Sequence, residues 1–258
     1  MRLMKRILSA AAVLALSASL LVGCSSGTAS SVPVSASSAA ESTVSSVEET
    51  ASSAVDENEA AAAQLLNDLT GSYQELWPVI LADEYKQTWL DDCTALVGED
   101  NAEAAFEKLS SMVTSDVYGE DAVEAYANGG GAYFCGFTNS LATLTFDGET
   151  STISGTDKDG NVLFSHTYHY IGMEPVHGLY EFESDDADSG EFTYFFLAPD
   201  TSAETYHIEF RYGSDAEALS QYDAGEYAYW VASGISTDCD QTMIDNCIEL
   251  FCTENLAG

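Results

Sequence analysis

From Ala132 to Gly213 the chain repeats one pattern, a short run with a two-residue period followed by a turn. The runs are Ala132 to Phe137, Leu141 to Phe146, Thr150 to Gly155, Val162 to Tyr170, Gly178 to Glu183, Glu191 to Leu197 and Glu204 to Gly213. Between them lie Asp147-Gly148, Asp157-Lys158-Asp159-Gly160, Ile171-Gly172, Asp185 to Gly190 and Pro199-Asp200. A two-residue period places alternate side chains on opposite faces of a pleated strand. Asp-Gly supplies the positive φ that tight hairpin turns need. Consecutive strands joined this way form an antiparallel meander, and seven of them close into a small barrel or fold into a sandwich.

Helical patterns flank this block. Val55 to Asp68 is rich in Ala, Glu, Gln and Leu, and Tyr73 to Cys93 carries apolar residues at helical spacing around Pro78. Asn101 to Met112 and Glu120 to Ala127 follow, ended by Gly129-Gly130-Gly131. After the strands come a short piece at Ala216 to Tyr222 and a longer helix at Asp238 to Glu254. The aromatic cluster Tyr227 to Trp230 is expected to plug or flank the barrel, as core packing or as a surface on which a ligand stacks. The fold class is mainly β, of the α+β kind.

The first residues set the compartment. Arg2, Lys5 and Arg6 precede an apolar stretch from Ile7 to Leu21 that ends in Leu21-Val22-Gly23-Cys24. A charged start, a short apolar run and small residues before a cleavage point make a secretory signal and not a spanning helix. Leu-Val-Gly-Cys resembles the lipobox of bacterial lipoproteins, which implies cleavage after residue 23 and lipid attachment at Cys24. Residues 24–54 are mostly Ser, Ala, Thr, Val and Gly, too poor in large apolar groups to offset the entropy of ordering, and so form a flexible tether. The folded domain is expected over residues 55–258, anchored outside the cell membrane by its lipid alone.

The formal charge is −36, from seven Lys and Arg against 43 Asp and Glu. Three of the seven cations leave with the signal, so Lys86, Lys108, Lys158 and Arg211 are all that remain. This balance excludes nucleic acid and anionic lipid surfaces as partners and favours cations. Cys93, Cys135, Cys239, Cys247 and Cys252 follow Cys24. Their spacing matches no zinc knuckle, and they read as buried thiols with one or two disulfides allowed in an oxidising compartment.

The strand from Glu204 to Gly213 carries the chemistry. Tyr206, Ile208, Phe210 and Tyr212 form an apolar face, while Thr205, His207, Glu209 and Arg211 form the other. An imidazole and a carboxylate two positions apart are donors that zinc accepts at about 2.0–2.2 Å. The same spacing also suits a strand whose His and Glu simply face water.

The order of parts resembles the ZinT (YodA-type) family of extracytoplasmic zinc-binding proteins. The matching stretches are Leu69 to Leu81, Thr143 to Tyr170, Gly178 to Pro199, His207 to Leu219 and Tyr227 to Gly234, spanning about residues 66 to 236. The resemblance implies a lipocalin-like (calycin) antiparallel barrel with a helical N-terminal part. It also implies a zinc site of three histidines, one on the strand before Ala-Pro and two as His-x-His on the next. Here His207 and Glu209 take the places of the pair, and Phe195 stands where the remaining histidine belongs. Sliding the match by two residues puts Thr205 and His207 there instead. In the first match Glu209 keeps an anionic oxygen donor on what is expected to be the inward face. His166 or His169 could supply a third ligand, although their spacing puts them on opposite faces and at most one points inward. His177 reads as a solvated loop residue.

The leading expectation is therefore a membrane-tethered protein that binds zinc or another divalent cation at the barrel mouth and passes it to a metal-uptake transporter component. The alternative is a calycin that holds a small apolar or peptide ligand in its barrel, suggested by Phe195 and the Tyr/Trp cluster. Neither a nucleophile elbow, a phosphate loop nor a His-Glu-x-x-His helix is present, and catalysis is not expected.

Overall fold

A computed structural model of the chain describes residues 57–199, 205 and 207–257. The expected signal segment, lipid attachment at Cys24 and expected tether lie outside these residues.

Eight strands hydrogen-bond in chain order and the last returns to the first, giving a closed antiparallel barrel. With helices at both ends of the chain, this is a calycin-like α+β fold. The strands are β1 (Gly71–Glu75), β2 (Thr143–Asp147), β3 (Thr152–Thr156), β4 (Val162–Met173), β5 (Tyr180–Ser184), β6 (Tyr194–Leu197), β7 (His207–Gly213) and β8 (Ala232–Ser236). A helix over residues 57–68, α1, precedes β1. Next come α2 (Leu76–Ile80), α3 (Lys86–Val97), α4 (Glu99–Ser111) and α5 (Glu120–Ala127), with α6 (Ala216–Leu219) and α7 (Gln241–Leu256) after β7 and β8 respectively. Among the described residues no helix is long and apolar enough to cross a membrane.

Six of the seven expected runs are barrel strands. The seventh, Ala132 to Phe137, makes only isolated bridges from Phe134 to Thr114 and Trp230. It runs beside residues 229–233, with the Phe134 and Cys135 carbonyls taking the N–H groups of Val231 and Ser233. Two strands replace it. Gly71–Glu75 is not helical but pairs with both β2 and β8. Ala232–Ser236 pairs with β7. Pro78 falls within the first turn of α2, where its missing N–H costs no helical bond.

The turns differ in how they use glycine. Gly160 has φ +81° in a turn whose Asp157 carboxylate accepts the N–H groups of Asp159 and Asn161, each at 2.9 Å. At Asp147-Gly148 the positive φ belongs to Ser151. Gly148 is there for space, since a Cβ on it would stand 2.4 Å from the Cα of Asn67 in α1.

One face of every strand points into the barrel. Tyr73, Leu144, Phe146, Ile153, Phe164, Tyr168, Phe182, Phe195, Ile208, Phe210 and Tyr212 fill it and are all buried. Phe195 sits among Phe164, Tyr168, Phe210 and Tyr212, with ring centroids 5.4–6.3 Å apart. The interior of a barrel of this strand number is just wide enough for side chains to fill it, and here aromatic rings do so. Residues 137 and 138 cover this packing: Phe137 meets Phe210, and the Tyr212 hydroxyl accepts the N–H of Thr138 at 2.6 Å. Trp230 packs edge-on against Tyr212 at 4.9 Å, so the aromatic cluster does flank the barrel.

Outside the barrel, α3, α4 and α7 form a helical layer. Trp89 is fully buried, donates to the Ile80 carbonyl at 2.7 Å, and lies 6.0 Å from Phe251, which also meets Trp77 at 4.7 Å.

Candidate functional site

Strand β7 pairs with β6 and β8, and the pairing decides which way its side chains face. Phe195 stands opposite Tyr212, and Leu197 opposite Phe210. The apolar set of β7 therefore joins the barrel interior, and His207, Glu209 and Arg211 occupy the outer face. This corrects the expectation that Glu209 points inward at the barrel mouth. Closing the sheet requires the side of β7 with the most apolar surface to be inside, and the alternation in the sequence already marked that side.

The outer face of β7 is not open to water along its length. Glu209 is 7% exposed, Arg211 is fully buried, and His207 is half-buried. Thr205 Oγ1 lies 2.6 Å from His207 Nδ1, a contact that orients the ring. The Thr205 carbonyl in turn accepts from the Cys247 thiol of α7 at 3.2 Å. Ser233 of β8 stands opposite Glu209 and donates its N–H to the Cys135 carbonyl at 3.0 Å, and burial followed by the Glu209 charge pushes the Cys135 thiol well up.

Arg211 was missed as a candidate, although it is one of only four cations in the domain. Its guanidinium donates to the carbonyls of Leu219, Gln221 and Tyr227 and lies 4.3 Å over the Tyr222 ring. It thereby fastens the segment after α6 over the outer face of β7. Burial pulls the guanidinium down, against the opposing pull of Tyr222, Tyr133 and Glu174. The other side of Tyr222 meets His177 at 3.8 Å between ring centroids. Contrary to the expectation of a solvated loop residue, His177 is largely covered, and its ring lies 3.3 Å from the fully buried Glu174. Glu174 accepts the N–H groups of Val176 at 2.8 Å and His177 at 2.7 Å. Burial alone would raise its pKa, but the hydrogen bonds from the His177 ring and these two amides bring it net below the usual carboxylate value.

The remaining histidines stand elsewhere. His166 shares the inner-face register of Phe164 and Tyr168 but bonds Asp186 at 2.7 Å. His169, on the outer face of β4, bonds Asp185 at 2.8 Å and lies 4.0 Å from Glu183. One of the pair thus points inward and the other outward, as their spacing implies. Strands β5 and β6 separate β4 from β7, and the register runs from His169 through Glu183 and Tyr194 to Gly213, at the far end of β7 from His207, so the two histidines stand apart both across and along the sheet. Neither histidine is brought to His207, and Phe195 is on the opposite face from it. Among the described residues no group of three or more His, Cys, Asp or Glu is placed to hold a metal ion. His207 and Glu209 are thus a two-donor set.

A separate cleft of about 330 Å³ opens between α2 and the segments 113–115 and 134–136. Glu75, Trp77, Leu81, Phe134 and Cys135 line it. Glu75 Oε1 accepts the Phe137 N–H at 2.6 Å on its wall.

No family model matches the sequence, and neither does any curated protein. Solved structures that match the chain include two zinc-bound ones. The Zn(II)-bound ZinT-like domain of Streptococcus pneumoniae AdcA shares 14% identity at a TM-score of 0.44, over 70% of this chain and 87% of that one. Zn(II)-bound AdcA from the same organism shares 13% identity at a TM-score of 0.41, over 70% of this chain and 33% of that one, so this chain spans about a third of its length.

Proposed function

We propose that this chain is a lipid-tethered extracytoplasmic protein that binds a divalent cation, zinc foremost, as cargo, and that it works by coordination and not by catalysis. The observation that carries the reading is the pair His207 and Glu209, two residues apart on one face of β7, with the His207 ring oriented by Thr205. The lipobox-like end of the leader, the strong acidity of the chain and the order of ZinT-like stretches along a calycin-like barrel support it. An imidazole Nε2 and a carboxylate oxygen are ordinary zinc donors, and water would complete a tetrahedral shell. A site with two protein donors holds its ion less tightly than one with three or four, which suits delivery to an uptake transporter component. The acidic surface raises the cation concentration near it.

Calorimetric titration of the full chain with zinc, beside His207→Ala and Glu209→Ala, tests this. The expected outcome is a micromolar Kd in the wild type and at least about a tenfold loss in each variant, since each removes one of two donors and costs more than about 1.4 kcal/mol. Affinity no better than millimolar would reject the reading.

A second reading is favoured by the cleft beside α2, where a carboxylate edge, an indole and apolar walls suit a small apolar or peptide ligand. The barrel interior is filled by its own rings, so this ligand would sit outside it. Native mass spectrometry of gently purified protein that shows no retained small molecule would count against this second reading.

A further inference from the structure

We propose that Cys93 and Cys252 form an intramolecular disulfide in the exported protein, a covalent clamp between α3 and α7. Their sulfurs stand 3.9 Å apart, both residues are fully buried, and 159 positions separate them along the chain. Of the five cysteines in the domain, this is the pair the fold brings into contact. Cys135 is buried beside β8, where its carbonyl takes the Ser233 N–H, Cys247 donates to the Thr205 carbonyl, and Cys239 is half-buried before α7. A disulfide needs sulfurs about 2.05 Å apart, and turning two thiol side chains on packed helices is the movement that closes the gap.

The chemistry balances with a disulfide oxidant such as oxidised glutathione or a thiol oxidoreductase. The two thiols lose two protons and two electrons as the protein S–S bond forms. The oxidant's S–S bond breaks and takes them up as two thiols. Exchange requires a thiolate, and burial pushes both thiols up, so the bond forms while α7 is still docking and not after. A loop of this length gives a large reduction in the entropy of the unfolded chain. The clamp also holds the helix whose Cys247 supports Thr205 and, through it, the His207 ring. It rests on the proposed extracytoplasmic location only for its oxidant.

The test supplies that oxidant directly, so its failure would bear on the clamp and not on export. Full chain, reduced and unfolded, is refolded in a glutathione redox buffer, denatured, treated with N-ethylmaleimide, digested and mapped by mass spectrometry. The expected result is a peptide carrying Cys93 linked to one carrying Cys252, with Cys24, Cys135, Cys239 and Cys247 outside any disulfide and alkylated. Reduction should then lower the Tm by roughly 5–15 °C. A C93S/C252S double variant should show no such response. Recovery of Cys93 and Cys252 both alkylated, or either one linked to another cysteine, would overturn the proposal.

Discussion

At the scale of single residues, Arg211 shows why polarity along a strand does not reveal exposure. In the sequence it alternates with Phe210 and Tyr212 as though turned to water. In the fold it is fully buried, and three backbone carbonyls and the Tyr222 ring take the place of its hydration. A buried cation is tolerated only where its donors are used, and here they hold the segment from Leu219 to Tyr227. Arg211→Met keeps the apolar stem and strands those carbonyls. Hydrogen bonds to charged groups are worth about 1.5–3 kcal/mol each, and removing the buried cation recovers part of that through its desolvation cost, so the variant should lose about 3–5 kcal/mol net in urea unfolding. His207 and Glu209 are subject to the same lesson. Their spacing was legible as a donor pair, but the face they occupy was not read correctly.

At the scale of elements, β2 to β7 were legible because each is a run of alternating residues ended by a turn. The two strands that close the barrel were not. Gly71–Glu75 has only five residues and runs straight into a helix, so its period is lost in that of α2. Ala232–Ser236 is built of small residues, because Gly234 must pass close to Ile208, where an added Cβ would stand 3.0 Å from Cγ1. Small residues carry little hydrophobic signal. The contact of the β2–β3 turn with α1 is another matter of close approach. At Gly148 an added Cβ would meet the Asn67 backbone at 2.4 and 2.6 Å, and a backbone cannot move aside as a flexible side chain can. Gly148→Ala should therefore cost about 1–3 kcal/mol even though glycine's conformational freedom is not in use there. Thermal unfolding would show it, and a neutral result would mean that α1 shifts to accommodate the methyl group.

At the scale of the whole molecule, acidity and the buried Glu174 together set the response to pH. The folded-state pKa of Glu174 is net lowered, so its contribution to stability is fully present above the unfolded carboxylate value of about 4.3 and is lost as pH falls through the folded value. Unfolding free energy measured from pH 7 down to pH 3 should therefore fall on the acid side. In Glu174→Ala that limb should be shallower, and stability at pH 7 should be lower by about 1–3 kcal/mol because the Val176 and His177 amides lose their acceptor. A limb of unchanged slope would place the acid sensitivity in other carboxylates.

The sequence by itself determined that this is a β-meander domain with flanking helices, strongly acidic, with a His-x-Glu pair on one strand. These are properties of local order: period, turn chemistry and composition are written in neighbouring residues. Only the tertiary structure decided that the sheet closes through β1 and β8, that Phe195 and its neighbours fill the interior, and that His207, Glu209 and Arg211 lie on the outer face, Arg211 under a covering segment. It alone brought Cys93 to Cys252 and His177 to Tyr222. Closure and burial depend on which surfaces meet across long stretches of chain, and that is fixed by the total apolar area removed from water when every strand takes its place.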